Sequence, residues 1–222
     1  MTDIVIFGAG QFAEVLTVYL EQDTNDKVVG YTVDNLYCST DTFNGLPLVA
    51  WENLESHFPP SQVQLLGPIS YRGANRFRKD RFLEGKSRGY AFYTFIHPSA
   101  YIYSNKIGEN VIILEGNTLQ PFVEIGDNCI LWSHNHVGHH TIIKAHNFLC
   151  GRVTIGGNVV IEEGVFWAGC TTAKDNINIG AWSFLTPGTI ALENIPEDSI
   201  LVREKNRLLK KAAHKHYKKL LG

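Results

Sequence analysis

The sequence lacks long hydrophobic runs and closely paired cysteines. No stretch of its 222 residues approaches the roughly 18–20 consecutive apolar residues that a membrane-spanning helix needs. The opening Met-Thr-Asp is not followed by the basic and hydrophobic segments of a secretory signal. The four cysteines are spread out with no CxxC pair, which argues against a disulfide framework and against a zinc finger. We therefore expect a cytoplasmic protein with reduced thiols and no membrane contact.

The sequence also lacks a general excess of positive charge. Its 20 basic and 22 acidic residues give a net charge of -2, but residues 203–222 hold eight Lys or Arg and only Glu204 as an acid. The rest of the chain is therefore near -9, from 12 basic minus 21 acidic residues. Such a body is a poor binder of polyanions, so no nucleic-acid partner is expected. The basic terminus is expected to form a short helix over 201–222 that meets a local phosphate or an acidic neighbour, or that is simply solvated.

A repeat of six residues runs through the second half of the chain. Stepping by six from Ile107 to Ala191 meets fifteen positions, and every one of them is apolar. The positions four residues further on, from Val111 to Thr189, are small, β-branched or Asn. This period fits neither an α-helix nor an alternating strand, but it fits a coil of three short strands with one repeat per strand. We predict a parallel β-helix of triangular cross-section. Glycines follow several large residues, where a corner has little room: Gly108, Gly126, Gly138, Gly156 and Gly180.

The N-terminal segment predicts a βαβ unit. Asp3–Phe7 is a short buried strand, Gly8-Ala9-Gly10-Gln11-Phe12-Ala13 is a GxGxxA turn, and a helical run and the strand from Lys27 to Tyr31 follow. Backbone N–H groups of such a turn can hold a pyrophosphate at the helix N-terminus. A nucleotide sugar, NAD or a purely structural turn all remain open, although too little chain precedes the repeat for a full dinucleotide domain. The expected domains are 1–94, 95–200 and 201–222.

Four of the nine histidines fall within eight residues, and we expect them at one corner of the β-helix. They are His134, His136, His139 and His140. Because Asn135 and Val137 occupy inward positions of the repeat, His136, His139 and His140 are predicted to project outward. An exposed imidazole, ordinarily with a pKa near 6.5, can accept a proton from an amine as the amine attacks a thioester.

Several motifs together resemble one family. The glycine-rich βαβ unit is followed by GYxxDN at Gly30–Asn35, by the HPSA segment at 97–100 and by the hexapeptides. This combination resembles the hexapeptide-repeat acyltransferases, in particular the sialic-acid O-acetyltransferases and the bacterial amino-sugar-nucleotide N-acyltransferases. The resemblance implies a left-handed β-helix and a homotrimer with active sites between subunits. It also implies acyl-CoA as co-substrate without a metal, and N-acylation of a UDP- or dTDP-linked deoxy-amino sugar, as in lipopolysaccharide O-antigen biosynthesis.

The same resemblance assigns site residues. His139 matches the place of the catalytic base, and His140 stands where a carboxylate often orients that base; either His140 fills this role or an acid comes from elsewhere, including a neighbouring subunit. His136 is a further catalytic candidate, and Phe148 or Trp167 could set the acyl length. The nucleotide-sugar candidates are Gly8, Gly10, Gln11, Asp34 and Asn35. The CoA candidates are Gly151, Ala168, Gly169, Thr186, Lys205 and Arg207. The chain departs from the family pattern at Gln11, Phe12 and Val33, and at Val202–Asn206.

Other classes of function stay open. O-acylation of a sugar hydroxyl would use the same fold, and a β-helical zinc enzyme of the carbonic anhydrase type would use three histidines. One residue is missing between Ile102 and Ile107, so we expect a slip at that corner. With that residue restored, His97 lies two positions out of phase with His134, which disfavours a shared zinc. A non-catalytic scaffold with surface histidines is the third possibility.

Overall fold

The computed structural model describes residues 1–67, 71, 73–104 and 106–204. Lys205, Arg207 and all but the first four residues of the expected C-terminal helix lie outside this part of the chain. No helix within it is long and apolar enough to cross a membrane.

The chain begins with an α/β unit built on a six-stranded sheet. Its elements are β1 (Asp3–Phe7), α1 (Gln11–Asp23), β2 (Lys27–Val33), β3 (Thr42–Phe43), β4 (Leu46–Ala50), α2 (Leu54–His57), β5 (Gln64–Leu66), α3 (Arg76–Ser87) and β6 (Ala91–Phe92), with 3-10 turns at Asn35–Tyr37 and Trp51–Asn53. The strand order is β3-β4-β2-β1-β5-β6, and only the β3–β4 pair is antiparallel. Since β2 and β5 flank β1, the strand order reverses beside the glycine turn that follows β1. The predicted βαβ start is confirmed, with β2 extending two residues beyond Tyr31.

Eighteen strands of two residues each form a left-handed β-helix after this unit. Face 1 holds β7 (Phe95–Ile96), β10 (Ile112–Ile113), β13 (Ile130–Leu131), β16 (Phe148–Leu149), β19 (Phe166–Trp167), β22 (Phe184–Leu185) and β24 (Ile200–Leu201). Face 2 holds β8 (Tyr101–Ile102), β11 (Thr118–Leu119), β14 (His136–Val137), β17 (Thr154–Ile155), β20 (Thr172–Ala173) and β23 (Ile190–Ala191). Face 3 holds β9 (Lys106–Ile107), β12 (Glu124–Ile125), β15 (Ile142–Ile143), β18 (Val160–Ile161) and β21 (Asn178–Ile179). We name the corners 1–2, 2–3 and 3–1 after the faces that they join.

The register of the coils confirms the predicted repeat and its slip. Glu124 pairs with Ile142, three full repeats further on, whereas Tyr101 pairs with Thr118, which is one residue short of that interval. Lys106 already pairs with Glu124 in the regular register, so the missing residue falls between Ile102 and Ile107 as expected. The last coil is two residues shorter than a regular coil, because Phe184 pairs with Ile200.

The interior of the prism is filled by the second residue of each strand. Leu131, Val137, Ile155 and Trp167 are all fully buried in one apolar cluster. The predicted crowding at corner glycines is also confirmed, since a Cβ on Gly126 would lie 2.7 Å from the backbone nitrogen of Ala145. The third residue after each large inward residue turns the chain with a positive φ, a conformation in which Gly and Asn are favoured.

The α/β unit packs on face 1 and covers its outward residues. Phe95, Ile112, Ile130, Phe148 and Phe166 point away from the prism, yet they are buried in a cluster shared with α1 and β2. The expectation that Phe148 or Trp167 sets the acyl length is therefore wrong. Phe148 is only 3% exposed beneath the α/β unit, and Trp167 is sealed inside the prism.

Arg78 of α3 joins the α/β unit to corner 3–1. Its guanidinium is fully buried and donates to the carbonyl oxygens of Asn128 at 2.9 Å, His146 at 2.8 Å and Asn147 at 3.0 Å. No carboxylate within the described residues pairs with it, so neutral acceptors of two successive coils stabilise the charge. Burial lowers the pKa of Arg78 to about 10, which still leaves the group protonated at neutral pH.

His146, the coil residue beside Arg78, is buried and neutral. His146 accepts a hydrogen bond at Nδ1 from Nδ2 of Asn128 at 2.8 Å. Burial, and next the positive charge of Arg78, lower the pKa of His146 to about 4. This histidine is therefore part of the junction between the two units and not part of the exposed histidine group.

Replacing Arg78 tests how strongly this junction holds the molecule together. Arg78→Met would leave the buried carbonyl oxygens of Asn128 and His146 without a donor, whereas that of Asn147 keeps the backbone N–H of Ile130 at 3.0 Å. We expect the substitution to lower the free energy of unfolding by about 3–5 kcal/mol. Lys86→Met is the matched control on the same helix, because it removes only an exposed ion pair with Glu109 and should cost less than about 1 kcal/mol. Urea denaturation measures both, and equal midpoints for the two variants would contradict this role for Arg78.

Candidate active site

The four clustered histidines occupy two corners and the face between them, so the expectation of a single corner is wrong. His134 turns the chain at corner 1–2, His136 lies in β14 on face 2, and His139 and His140 lie at corner 2–3. The reason is the period: six residues advance the chain by one side of the prism, and His134 and His140 are six apart. The outward orientation of His136, His139 and His140 is confirmed, because His136 is half-buried and the other two are exposed.

His139 is held by three neighbours from three different coils or turns. Its backbone N–H donates to Oε1 of Gln120 at 2.9 Å. Its ring lies over Gly157, where an added Cβ would come within 2.8 Å of Cε1 and 2.9 Å of Nε2. Its Nδ1 lies 3.1 Å from Nδ1 of His140. The imidazole is thus exposed to solvent but placed by contacts on several sides.

His140 is held in turn by its backbone and by Phe122. It has a φ of 58° and donates its backbone N–H to the carbonyl of Pro121 at 3.2 Å. The ring of Phe122, itself 69% exposed, packs against the His140 ring with centroids 4.6 Å apart. Among the described residues no carboxylate lies within 4.0 Å of either imidazole. Asp175 reaches the same region, but its Oδ1 accepts the backbone N–H of Gly157 at 2.6 Å.

The glycine turn lies at the point where the strand order reverses. Gly8 has a φ of 150° and donates its N–H to the carbonyl of Thr32 at 2.8 Å. Gly10 caps α1, and a Cβ added there would meet no atom within 4 Å, so the space in front of the helix is open. Gln11 begins α1 and is exposed. A helix of 13 residues that begins at an open glycine turn is suited to hold a phosphate group.

The other nucleotide-sugar candidates already have protein partners. Asp34 follows β2, and its Oδ1 accepts from Nε of Arg81 at 2.9 Å. The backbone N–H of Asn35 donates to Oε2 of Glu52 at 2.9 Å. Phe12, one of the departures from the family pattern, stacks on Trp132 of corner 1–2 at 4.6 Å. These contacts show that one ion pair and one hydrogen bond hold the end of β2, and that Phe12 serves the packing between the two units.

The CoA candidates within the described residues share corner 1–2, one coil after another. The carbonyl of Gly151 accepts from the backbone of Cys170 at 3.2 Å, and that of Gly169 accepts from Gly188 at 3.0 Å. Ala168 is 6% exposed and belongs to the cluster under the α/β unit, so its side chain offers little surface. Thr186 donates from Oγ1 to the carbonyl of Leu201 at 2.9 Å. The structure brings these four residues together, but face 2 separates them from His139.

The positions of the described histidines give no support for a shared metal site. Ile96 pairs with Ile113 and Ile113 with Leu131, so His97 aligns with Trp132, two positions ahead of His134, as the sequence predicted. Nε2 of His97 lies instead 3.4 Å from Oδ2 of Asp23 in α1. Within the part of the chain that the structure describes, no three His, Cys, Asp or Glu residues are grouped as metal ligands would be.

Sequence reasoning missed the residues that position His139. Gln120, Phe122 and Gly157 carry no recognisable motif, yet each lies one coil away from the residue that it contacts. Phe122 precedes His140 by three repeats of six, and Gly157 follows His139 by the same interval. The repeat would have identified these neighbours if it had been extended from the inward positions to the corners.

The fold and the repeat agree with comparisons to known proteins. The family model described as "Bacterial transferase hexapeptide (six repeats)" matches residues 106–139. Among solved structures, a mutant of perosamine N-acetyltransferase from Caulobacter crescentus in complex with CoA and GDP-perosamine has a TM-score of 0.79 and 22% identity, over 90% of this chain and 93% of that chain. The acetyltransferase domain of PglB from Neisseria gonorrhoeae has a TM-score of 0.78 and 18% identity, over 90% of this chain and 96% of that one.

A curated relative matches a smaller part of the chain. It is described as "Acyl-[acyl-carrier-protein]--UDP-N-acetylglucosamine O-acyltransferase" from Pseudomonas fluorescens. It is 30% identical over 97 residues, which are 40% of this chain and 38% of the relative. The chain thus spans well under half of that relative's length. Together the comparisons confirm the resemblance to the hexapeptide-repeat acyltransferases in repeat and in fold, with a left-handed β-helix behind a Rossmann-like unit.

Gly157 provides a test of how the His139 ring is placed. Gly157→Ala needs no unusual backbone angle, but the new methyl group would push the imidazole aside. We expect the melting temperature to stay the same and any turnover that depends on the His139 imidazole to fall about 10- to 100-fold, as displacement of a reacting group by about 1 Å can produce. In a His139→Asn background the same substitution should change nothing further. An additional loss in that background would show that Gly157 acts through another group.

Proposed function

We propose that this protein is an acyl-CoA-dependent N-acyltransferase that acylates the amino group of a nucleotide-linked sugar. The observation that carries the proposal is an exposed imidazole, His139, which Gln120, Gly157 and His140 hold at a corner of the β-helix. The solved proteins of similar fold support this choice of substrates, since one is described in complex with CoA and GDP-perosamine and another in complex with acetyl coenzyme A.

The chemistry needs only one proton acceptor on the protein. The sugar amine attacks the carbonyl carbon of the thioester, and a C–N bond forms as the C–S bond breaks. His139 accepts the proton that the amine nitrogen loses, and CoA leaves as its thiolate. Backbone N–H groups of the coil would stabilise the oxyanion that develops on the carbonyl. His136, on the adjacent face, is the second candidate for the base.

A covalent intermediate on cysteine is not part of the proposal. Burial raises the pKa of Cys129 to about 12 and that of Cys150 to about 11, so both thiols are poor sources of the reactive thiolate. Cys129 is enclosed inside the prism and could not meet a substrate. Direct transfer from CoA to the amine therefore fits these two cysteines better than a two-step route does.

The nucleotide would bind at the glycine turn and the sugar would reach toward the β-helix. Gly8, Gly10 and Gln11 would place the phosphates at the N-terminus of α1, with Asp34 and Asn35 beside them. Gly151, Ala168, Gly169 and Thr186 would guide the pantetheine arm of CoA, and Lys205 and Arg207 would meet its phosphates. The nucleotide itself, UDP, dTDP or GDP, is left to experiment.

The separation of the two corners favours an active site shared between copies of the chain. His139 lies at corner 2–3, whereas the CoA candidates lie at corner 1–2, and face 2 is between them. A second copy that brings its corner 1–2 against corner 2–3 of the first would join the two halves. The proposal takes this heterologous ring to close with three copies, as a homotrimer.

The activity can be tested by assaying free CoA release from a matrix of acyl-CoAs and nucleotide-linked amino sugars. We expect turnover with at least one amino sugar and none with the corresponding hydroxyl sugar. Removing the base should lower kcat roughly 10²- to 10⁴-fold. The His139→Asn variant should therefore lose most of its turnover while still binding both substrates. His136→Asn is the matched control and should retain its turnover if His139 is the base. Turnover of hydroxyl sugars alone would instead indicate the O-acyl transfer that the Pseudomonas relative's name describes.

Subunit mixing tests the shared site. Gly169→Glu should block the CoA path without harming the fold, because a Cβ there is only in ordinary contact, 3.5 Å from the carbonyl of Gly151. Co-expressing it with His139→Asn should restore roughly a quarter of the sites, since each intact site combines halves from two copies. Light scattering should give about three times the chain mass of 24.9 kDa. A monomeric mass, or no activity regained on mixing, would place the whole site within one chain.

A further inference from the structure

The two histidines at corner 2–3 share one hydrogen bond, and its direction decides what His139 can do. Their Nδ1 atoms are 3.1 Å apart, so one of them carries the hydrogen and the other the lone pair. If His140 donates, neutral His139 has its own hydrogen on Nε2 and cannot accept a proton there. If His139 donates, its Nε2 carries a lone pair. Only the second arrangement leaves a base available for an incoming amine.

Within the described residues, no carboxylate or carbonyl oxygen accepts a hydrogen bond from either imidazole ring. The elements packed against it present Gln120, Phe122 and Gly157, which are neutral, and the Asp175 carboxylate, which is bound to the N–H of Gly157. A carboxylate partner would be an obligatory acceptor at neutral pH, whereas an imidazole can either accept or donate. Once His140 gains a proton, both of its ring nitrogens are donors. It then forces the opposite tautomer on His139, or the hydrogen bond breaks.

Resting on the proposed function, we propose that His140 is a positioning residue. By accepting the Nδ1 hydrogen of His139 it keeps Nε2 of His139 free, and its own protonation switches the base off. Phe122 supports this role by packing against the His140 ring, at a turn where its positive φ of 67° would suit Gly or Asn better. The enzyme would therefore lose activity on acidification through two protons, one on each imidazole, instead of through one.

Two substitutions of His140 separate its role as a hydrogen-bond acceptor from its role as a group that can gain a proton. His140 has a positive φ of 58°, which both Asn and Gly adopt readily, so neither variant should fail to fold. His140→Asn keeps an acceptor oxygen near the position of Nδ1 but does not titrate. His140→Gly removes the acceptor. At pH 8 we expect kcat within about threefold of the parent for His140→Asn and a loss of roughly 10- to 100-fold for His140→Gly, with the KM for acyl-CoA unchanged in both.

The pH dependence of kcat distinguishes the proposed role of His140 from a purely structural role, which would leave the slope of the acid limb unchanged. The acid limb of log kcat should approach a slope of two in the parent and of one in His140→Asn. A chelator is present throughout, since two imidazole nitrogens at this separation can also hold a divalent metal. Near-native kcat in His140→Gly, or the same limiting slope in the parent and His140→Asn, would overturn the inference.

A measurement without substrates keeps this inference apart from the proposed activity. In the 15N-histidine-labelled full chain near pH 8, nitrogen shifts should report His139 as the Nδ1–H tautomer in the parent and in His140→Asn, but not in His140→Gly. An Nε2–H tautomer of His139 in the parent would refute the role of His140 whatever the enzyme turns over. If the expected tautomers are found and no amine is acylated, the proposed function fails while the assignment of the hydrogen bond stands.

Discussion

The structure depends on one constraint, the hydrogen bonding of each coil to the next in a register of three six-residue repeats. Each two-residue strand gains its partners only from the coils above and below, so a side chain on one coil always meets the same positions of its neighbours. This is why Phe122 lies against His140 and Gly157 beneath His139. A site built in this way has its contacts fixed by backbone pairing and does not depend on loop conformation.

The same coil register also aligns the apolar residues of face 1 into the surface on which the α/β unit packs. Outward residues of face 1 such as Phe95, Ile112, Ile130, Phe148 and Phe166 are large and apolar, and packing of the α/β unit removes this patch from water. At the edge of that surface Arg78 reaches the carbonyl oxygens of corner 3–1. Since no carboxylate in the described part of the chain pairs with it, its buried charge depends on these acceptors. The glycine turn after β1 belongs to the unit that Arg78 anchors to the coils.

In the proposed mechanism, an imidazole partner at position 140 controls the base differently from a carboxylate at the same place. An imidazole partner is neutral, titratable and able to reverse its hydrogen bond, whereas a carboxylate at the same place would be charged and would only accept. Phe122 packs against the ring of His140, and Gly157 leaves room for the ring of His139. The exposed aromatic ring at a strained turn has a physical reason in this context.

The sequence alone determined the triangular prism, the slip before Ile107, the βαβ start and the outward orientation of His139, because each follows from a local period or a backbone preference. Lys205 and Arg207 lie beyond the described chain and stay predictions. Tertiary structure decided the rest. It divided the histidines between two corners, enclosed Trp167 and Phe148, paired Asp34 with Arg81 and buried Arg78. These outcomes depend on which surfaces meet across units or between successive coils, and no local pattern of side chains encodes such contacts.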